Sequence, residues 1–149
     1  MDQEVGKTSA RVSRELEELL RYYRPVECYR GGERIDCLEV ASELLERMGL
    51  DADTTVCNRR RDVCLRIPRG SRLDMQEIRG VEVYLQVDVG DYVRPGEVLA
   101  YVITNKGELR SWRSELEGYI VLLYEDPVAK PLKCYILVAR EGVSLGGDR

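Results

Sequence analysis

The sequence predicts an α+β protein in two units, because the spacing of apolar residues changes along the chain. Residues 8–70 carry two segments with apolar side chains at helical spacing, interspersed with short strand-like runs. From residue 76 onward, alternation and turn residues typical of β-structure take over. We therefore expect a small α/β unit over residues 8–70 packed against an all-β unit over residues 76–140. Residues 141–149 are expected to form a flexible tail.

Two helices are predicted in the N-terminal unit. The first covers residues 8–23 and ends before Pro25, which cannot continue a helix. The second covers residues 36–48, where Asp36 can cap the first turn and Gly49 stops the last. Its apolar stripe consists of Leu38, Ala41, Leu44, Leu45 and Met48.

Short strands complete the N-terminal unit. Residues 26–29 form one, closed by Gly31 and Gly32, and residues 54–57 and 63–67 form a pair around a turn. That turn holds three consecutive arginines, Arg59, Arg60 and Arg61.

The all-β unit is predicted from alternation and from turn chemistry. Apolar and polar residues alternate over residues 81–89, which is the pattern of a half-buried strand. Residues 98–104 are nearly all apolar, as expected for a strand buried on both faces. Further strands are predicted over residues 108–114, 118–124 and 132–139.

Composition excludes several classes of function. The chain of 149 residues has no histidine, which removes histidine-based catalysis and histidine metal sites. Neither a nucleophile–base pair nor a phosphate-cradling glycine loop is apparent, so we do not expect an enzyme. The net charge of −4 argues against a general nucleic-acid binder. We expect a cytoplasmic protein with no membrane segment, and its arginine- and glutamate-rich composition suits a thermophile.

The five cysteines, at positions 28, 37, 57, 64 and 134, form no CxxC pair. Cys57 and Cys64 flank the arginine turn, where a cross-strand disulfide is one interpretation. The favoured interpretation is that all five are small buried side chains. A four-cysteine metal site at positions 28, 37, 57 and 64 has no support from their spacing, so no metal site is predicted.

Lys106 is the most informative residue of the chain. The sequence contains 19 arginines and only four lysines, and Lys106 lies between Asn105 and Gly107 in a predicted hairpin turn. One interpretation is a solvated turn residue. The other is an attachment point for a prosthetic group, because a lysine amine can form an amide and its long side chain adds reach.

The residues around Lys106 resemble the lipoyl- or biotinyl-attachment domains. The resemblance covers residues 78–139 and rests on the spacing of a Gly-Asp turn, a second glycine and an apolar strand that ends at the lysine. A glycine in the segment after the hairpin completes it. The residues that carry this resemblance or support the lysine are Gly90, Asp91, Gly96, Thr104, Asn105, Gly107 and Gly118. The whole chain also resembles an uncharacterised archaeal protein family.

This resemblance implies a barrel-sandwich hybrid fold for the C-terminal unit, with two similar β-halves around one core. It implies a covalent lipoyl or biotin group on Lys106, attached by a ligase and used by client enzymes. An unmodified protein-interaction domain derived from such a carrier is the other form of the same hypothesis. In either form the protein is a non-catalytic module.

The segment from Lys106 to Gly118 is one residue longer than usual in those domains. A type I turn followed by Gly107 in the left-handed region would accommodate the extra residue as a β-bulge. Ile103 stands where lipoyl domains commonly have glutamate.

The alternative function is RNA or nucleotide binding through Arg59, Arg60 and Arg61. The favoured interpretation of these residues is a solvated turn whose charge is offset by Asp51, Asp53 and Asp62.

Overall fold

The structure is a computed structural model that describes residues 25–126, 128–140 and 143–146. The helix predicted over residues 8–23 lies outside these residues. Within the described part, no helix is both long and apolar enough to cross a membrane.

A five-stranded antiparallel sheet forms the first part of the molecule. Its strands follow the order β12-β4-β3-β1-β2. Their bounds are β1 Val26–Arg30, β2 Glu33–Ile35, β3 Thr54–Asn58, β4 Val63–Ile67 and β12 Ser144–Gly146. The last strand therefore belongs to the segment that was expected to be a flexible tail.

One helix, α1 at Cys37–Arg47, follows β2. Asp36 caps it, because its Oδ1 accepts a hydrogen bond from the Leu38 N–H at 2.9 Å. Met48 ends it with a left-handed backbone at φ 54°. Val40 and Leu44 are buried on one face of the helix. The predicted position and cap of this helix are confirmed. Its predicted apolar stripe is only partly right, because Leu38 is 59% exposed and Val40, which the prediction left out, is buried.

The second part of the molecule consists of two antiparallel sheets that form a partly barrel-like structure. One has four strands in the order β5-β11-β10-β7 and the other has three in the order β6-β8-β9. Their bounds are β5 Leu73–Gly80, β6 Glu82–Leu85, β7 Tyr92–Val93, β8 Val98–Ile103, β9 Leu109–Arg113, β10 Gly118–Asp126 and β11 Leu132–Ala139.

One contiguous buried cluster joins the two parts. Leu44 and Val56 from the first part belong to the same buried cluster as Ile78, Leu99 and Ile136 from the second. The five side chains are at most 1% exposed. Burial of this kind contributes roughly 1.5–3 kcal/mol per large apolar side chain, so the two parts stabilise one another.

The predicted α+β class is wrong, because the described molecule is mostly antiparallel β-structure with one short helix. The expected N-terminal α/β unit is instead a five-stranded sheet carrying α1. Two strands of this sheet were not predicted from the sequence. One, β2, is only three residues long and largely exposed, so its residues show no strand-like pattern. The other, β12, is supplied from the far end of the chain. Sequence periodicity does not reveal a short strand held mainly by its neighbours.

The two parts meet where the β3–β4 hairpin holds the turn at residues 88–91, which we call the Gly90 turn. Asn58 is buried, and its Nδ2 donates a hydrogen bond to the Val89 carbonyl at 2.8 Å. Gly90 has φ +98°, and a Cβ there would lie only 2.5 Å from Cγ1 of Val63. A larger residue would therefore suffer both backbone strain and a steric clash.

Four of the five cysteines form disulfides. Cys57 and Cys64 pair across β3 and β4, and Cys28 in β1 pairs with Cys37 at the start of α1. Cys134 is buried and free. The favoured interpretation of all five as unpaired hydrophobic residues is therefore wrong. The alternative of a cross-strand Cys57–Cys64 disulfide is confirmed, because the register of β3 and β4 places these two residues opposite each other.

We expect Gly90→Ala to destabilise the protein more than Gly107→Ala. Both positions have positive φ, which by itself costs about 1 kcal/mol for alanine. Only at Gly90 would the added Cβ clash with a neighbouring side chain, whereas a Cβ at Gly107 would meet nothing within 4 Å. Overpacking adds roughly 1–3 kcal/mol at position 90. Urea unfolding of both variants measures the difference.

Adding Val63→Ala to Gly90→Ala should recover part of the loss, because it removes the methyl group that clashes. A favourable coupling of about 1 kcal/mol is expected in the double-mutant cycle. Strictly additive effects would show that Val63 does not limit position 90.

We expect alkylation of the denatured, unreduced protein to label one cysteine per chain, Cys134. After reduction, all five cysteines should react. Mass spectrometry of protein purified without reductant counts the labels. Five labels before reduction would contradict both disulfides.

Candidate functional site

Lys106 lies at the tip of the β8–β9 hairpin. The Gly107 N–H donates to the Thr104 carbonyl at 2.9 Å, and the Thr104 N–H donates to the Glu108 carbonyl at 2.9 Å. Gly107 has φ +78°. These hydrogen bonds and the left-handed glycine define a type I turn with a β-bulge, which confirms the turn predicted for this segment.

The turn presents the Lys106 side chain to solvent. Asn105, Lys106 and Gly107 are all exposed. Within the described residues, the Lys106 amine has no ion pair, whereas Lys133 lies 3.9 Å from Glu77. The amine is therefore accessible to a reagent or a partner protein.

The hairpin is rigid at its base. Leu99, Ala100 and Val102 of β8 are at most 1% exposed, and Ile103 pairs with Leu109 next to the turn. Thr104 tightens the tip, because its Oγ1 accepts the Glu108 N–H at 3.2 Å. A mobile side chain thus projects from a fixed backbone.

The other residues of the predicted site support the frame rather than the tip. Gly96 lies in the turn before β8, where its N–H donates to the Ser114 carbonyl at 2.8 Å. Gly118 is buried in β10 opposite Val93 of β7. Gly90 and Asp91 belong to the Gly90 turn, which packs against β4.

An exposed apolar face adjoins the tip on the β6-β8-β9 sheet. Tyr84 and Tyr101 pair across β6 and β8 and are 51% and 40% exposed. Leu109, the first residue of β9 after the turn, is 65% exposed. Such a face beside an accessible lysine is suited to contact with a protein partner.

The arginine turn, residues 59–62, is engaged by carboxylates. Arg59 binds Glu27 through two hydrogen bonds of 2.9 and 3.1 Å. Arg60 lies 3.2 Å from Asp88, and Arg61 lies 3.1 Å from Asp91. The turn therefore ties the first sheet to the Gly90 turn.

The expected partners of these arginines, Asp51, Asp53 and Asp62, are not the ones observed. Asp51 pairs with Arg47, and Asp53 accepts the Arg69 N–H at 2.6 Å. Sequence reasoning missed Glu27 and Asp88 because each lies about 30 residues from its arginine. No local pattern reports a contact at that separation.

The hydrogen bonds and charges around Glu27 shift the pKa of its carboxyl group. Burial alone would raise its pKa, but hydrogen bonds from Arg59 and Tyr29 and the charges of Arg59 and Arg34 outweigh that effect. The pKa of Glu27 is therefore lowered from its ordinary value of 4.5. The same interaction raises the pKa of Arg59.

The remaining thiol is not suited to nucleophilic chemistry. Burial, with a smaller effect of the Glu125 charge, raises the pKa of Cys134 to about 11. The thiol is thus protonated at neutral pH. Among the described residues, no group of three or more metal-binding side chains is present.

Comparison with known proteins identifies a family whose model matches most of the chain. The model of a family described as "Uncharacterized protein conserved in archaea (DUF2118)" matches residues 5–141. No curated protein matches the sequence significantly.

We expect Glu27→Gln to destabilise the protein by about 1–2 kcal/mol at pH 7. This is less than the roughly 3–5 kcal/mol for breaking a fully buried pair, because the Arg59 side chain is 47% exposed. A lowered carboxyl pKa stabilises the fold above pH 4.5, and this contribution is lost as the pH falls through the folded-state pKa.

The difference between the wild type and Glu27→Gln should therefore shrink below about pH 4.5. Chemical unfolding at pH 7, 5 and 3 measures it, with Glu97→Gln as an exposed control that changes stability little. A difference that stays constant down to pH 3 would contradict this assignment.

Proposed function

We propose that this chain, which belongs to the family of uncharacterized proteins conserved in archaea, is a non-catalytic carrier module of the lipoyl or biotinyl type. In this proposal the prosthetic group is attached to Lys106. The observation that carries it is the exposed Lys106 amine at the tip of a rigid hairpin, without an ion pair to any described residue.

Attachment requires an accessible amine. A ligase transfers the acyl group of lipoate or biotin from an activated adenylate to Nζ, forming an amide and releasing the nucleotide and a proton. Nothing in the described part of the chain encloses Lys106, so a ligase can approach it directly. Because Leu99, Ala100 and Val102 of β8 are buried, the base of the arm would stay fixed while the arm swings.

The arrangement of the sheets favours the same proposal. The hairpin belongs to a three-stranded sheet that packs with a four-stranded sheet around a common core. That layout is compatible with the two β-halves of a lipoyl- or biotinyl-like domain. A carrier of this kind serves a ligase and client enzymes, and the exposed Tyr84 and Tyr101 face beside the tip offers them a contact surface.

Nucleic-acid binding through the arginine turn is disfavoured. Arg59, Arg60 and Arg61 each pair with a carboxylate, so their charges are already offset within the molecule. Phosphate contacts would have to break these pairs.

We expect protein purified from its native host to carry one lipoyl or one biotinyl group on Lys106. Intact-mass measurement and sequencing of the peptide spanning residue 106 detect the group. Trypsin should fail to cleave after Lys106 in the modified fraction, because the amide removes the positive charge that trypsin recognises.

Lys106→Arg should abolish the adduct, and Lys130→Arg should leave it unchanged. Lys130 is the matched control, since it is also an exposed lysine. A native protein of unmodified mass would overturn the carrier proposal and indicate an unmodified protein-interaction domain.

A further inference from the structure

A cavity of about 630 Å³ lies between the β4–β5 connection and the end of β11. Arg69, Arg72 and Arg140 line it together with Ser71 and Asp74. Its size falls in the range of roughly 300–1,000 Å³ that is usual for small-molecule sites. We propose that this cavity binds the phosphate group of a small phosphorylated ligand, a function separate from the proposed role of Lys106.

The charge of the cavity is the first argument. Most described arginines are ion paired, namely Arg30, Arg34, Arg47, Arg59, Arg60, Arg61, Arg79, Arg94 and Arg110. By contrast, Arg69, Arg72 and Arg140 have no ion pair to any residue in the described ranges. Three arginines without an ion pair to a described residue therefore line one cavity.

This excess charge matches a phosphate group. Three guanidinium charges less the carboxylate charge of Asp74 leave a net charge of +2 in the cavity. A phosphate monoester carries about −1.5 to −2 at neutral pH. The whole chain has the opposite sign, with a net charge of −4, so the cavity does not simply reflect a basic surface.

The arginines are held by ordered backbone. The Ser71 N–H donates to the Pro68 carbonyl at 3.1 Å, and the Gly70 N–H donates to the Leu50 carbonyl at 3.0 Å. The Arg69 N–H binds Asp53, which fixes the base of that side chain. The connection is therefore organised before any ligand binds, which lowers the entropic loss on binding.

Strand register brings the third arginine to the same place. Leu73 of β5 pairs with Ala139 of β11 in antiparallel register. Arg72, which precedes Leu73, and Arg140, which follows Ala139, therefore lie on adjacent chain segments at the same edge. Planar guanidinium groups from two directions can each bind a phosphate with two hydrogen bonds.

The shape favours a small ligand over a nucleic acid. Nucleic-acid backbones require an extended positive surface, whereas these arginines surround one cavity in an acidic protein. Ser71 adds a hydroxyl that can donate to a phosphate oxygen.

The test is calorimetric titration of the full chain with inorganic phosphate and with phenyl phosphate, in NaCl of matched ionic strength. Both should bind at one site, and acetate should not. Arg72→Gln and Arg140→Gln should each weaken binding about tenfold, because each removes a charge-assisted contact. Arg110→Gln is the matched control, since Arg110 is exposed but paired with Glu108, and it should bind like the wild type.

Asp74→Asn should tighten phosphate binding by several-fold, because it removes the one negative charge in the cavity. A gain in affinity cannot come from misfolding, so this variant keeps the test decisive if an arginine variant is unstable. Phosphate binding equal to that of acetate, or unchanged in Arg72→Gln and Arg140→Gln, would overturn the proposal. Binding of an RNA oligonucleotide without binding of either phosphate probe would also overturn it.

Discussion

The packing of the β3–β4 hairpin on the Gly90 turn is the constraint on which the rest of the structure depends. Asn58 satisfies the buried Val89 carbonyl, Arg60 pairs with Asp88, and Val63 lies against Gly90. A buried carbonyl without a partner would cost about 1–3 kcal/mol, so the hydrogen bond selects this arrangement over looser ones. With the turn held, the two parts of the molecule share one core.

Two groups of described arginines differ in their surroundings. Those of the arginine turn pair with Glu27 of β1 and with Asp88 and Asp91 of the Gly90 turn, which favours the observed docking of the sheets. Exposed pairs of this kind contribute little energy individually, but wrong dockings would leave their charges unpaired. Arg69, Arg72 and Arg140 lack such partners among the described residues, which leaves their charge available to a ligand.

The Lys106 hairpin depends on the same scaffold. Buried side chains of β8 fix its base, whereas its tip consists of three exposed residues, of which Gly107 has a left-handed backbone. A rigid base with an accessible amine at its tip is what tethered chemistry needs, and it is also a suitable shape for recognition by a partner. The proposed anion cavity is formed by other residues, at the β4–β5 connection and the end of β11, so the two proposals can fail independently.

The sequence by itself determined the features that depend on neighbouring residues. The sequence predicted helix α1 with its Asp36 cap, most strands of the second part and the bulged turn at Gly107. These features were predictable because caps, alternation and turn residues act over a few neighbouring positions. Only the tertiary structure decided the mostly β class, the pairing of β12 with β4, the Cys28–Cys37 disulfide and the carboxylates that bind the arginine turn. These features join residues that are distant along the chain or whose local sequence signal is weak, and burial and strand register choose among the candidates.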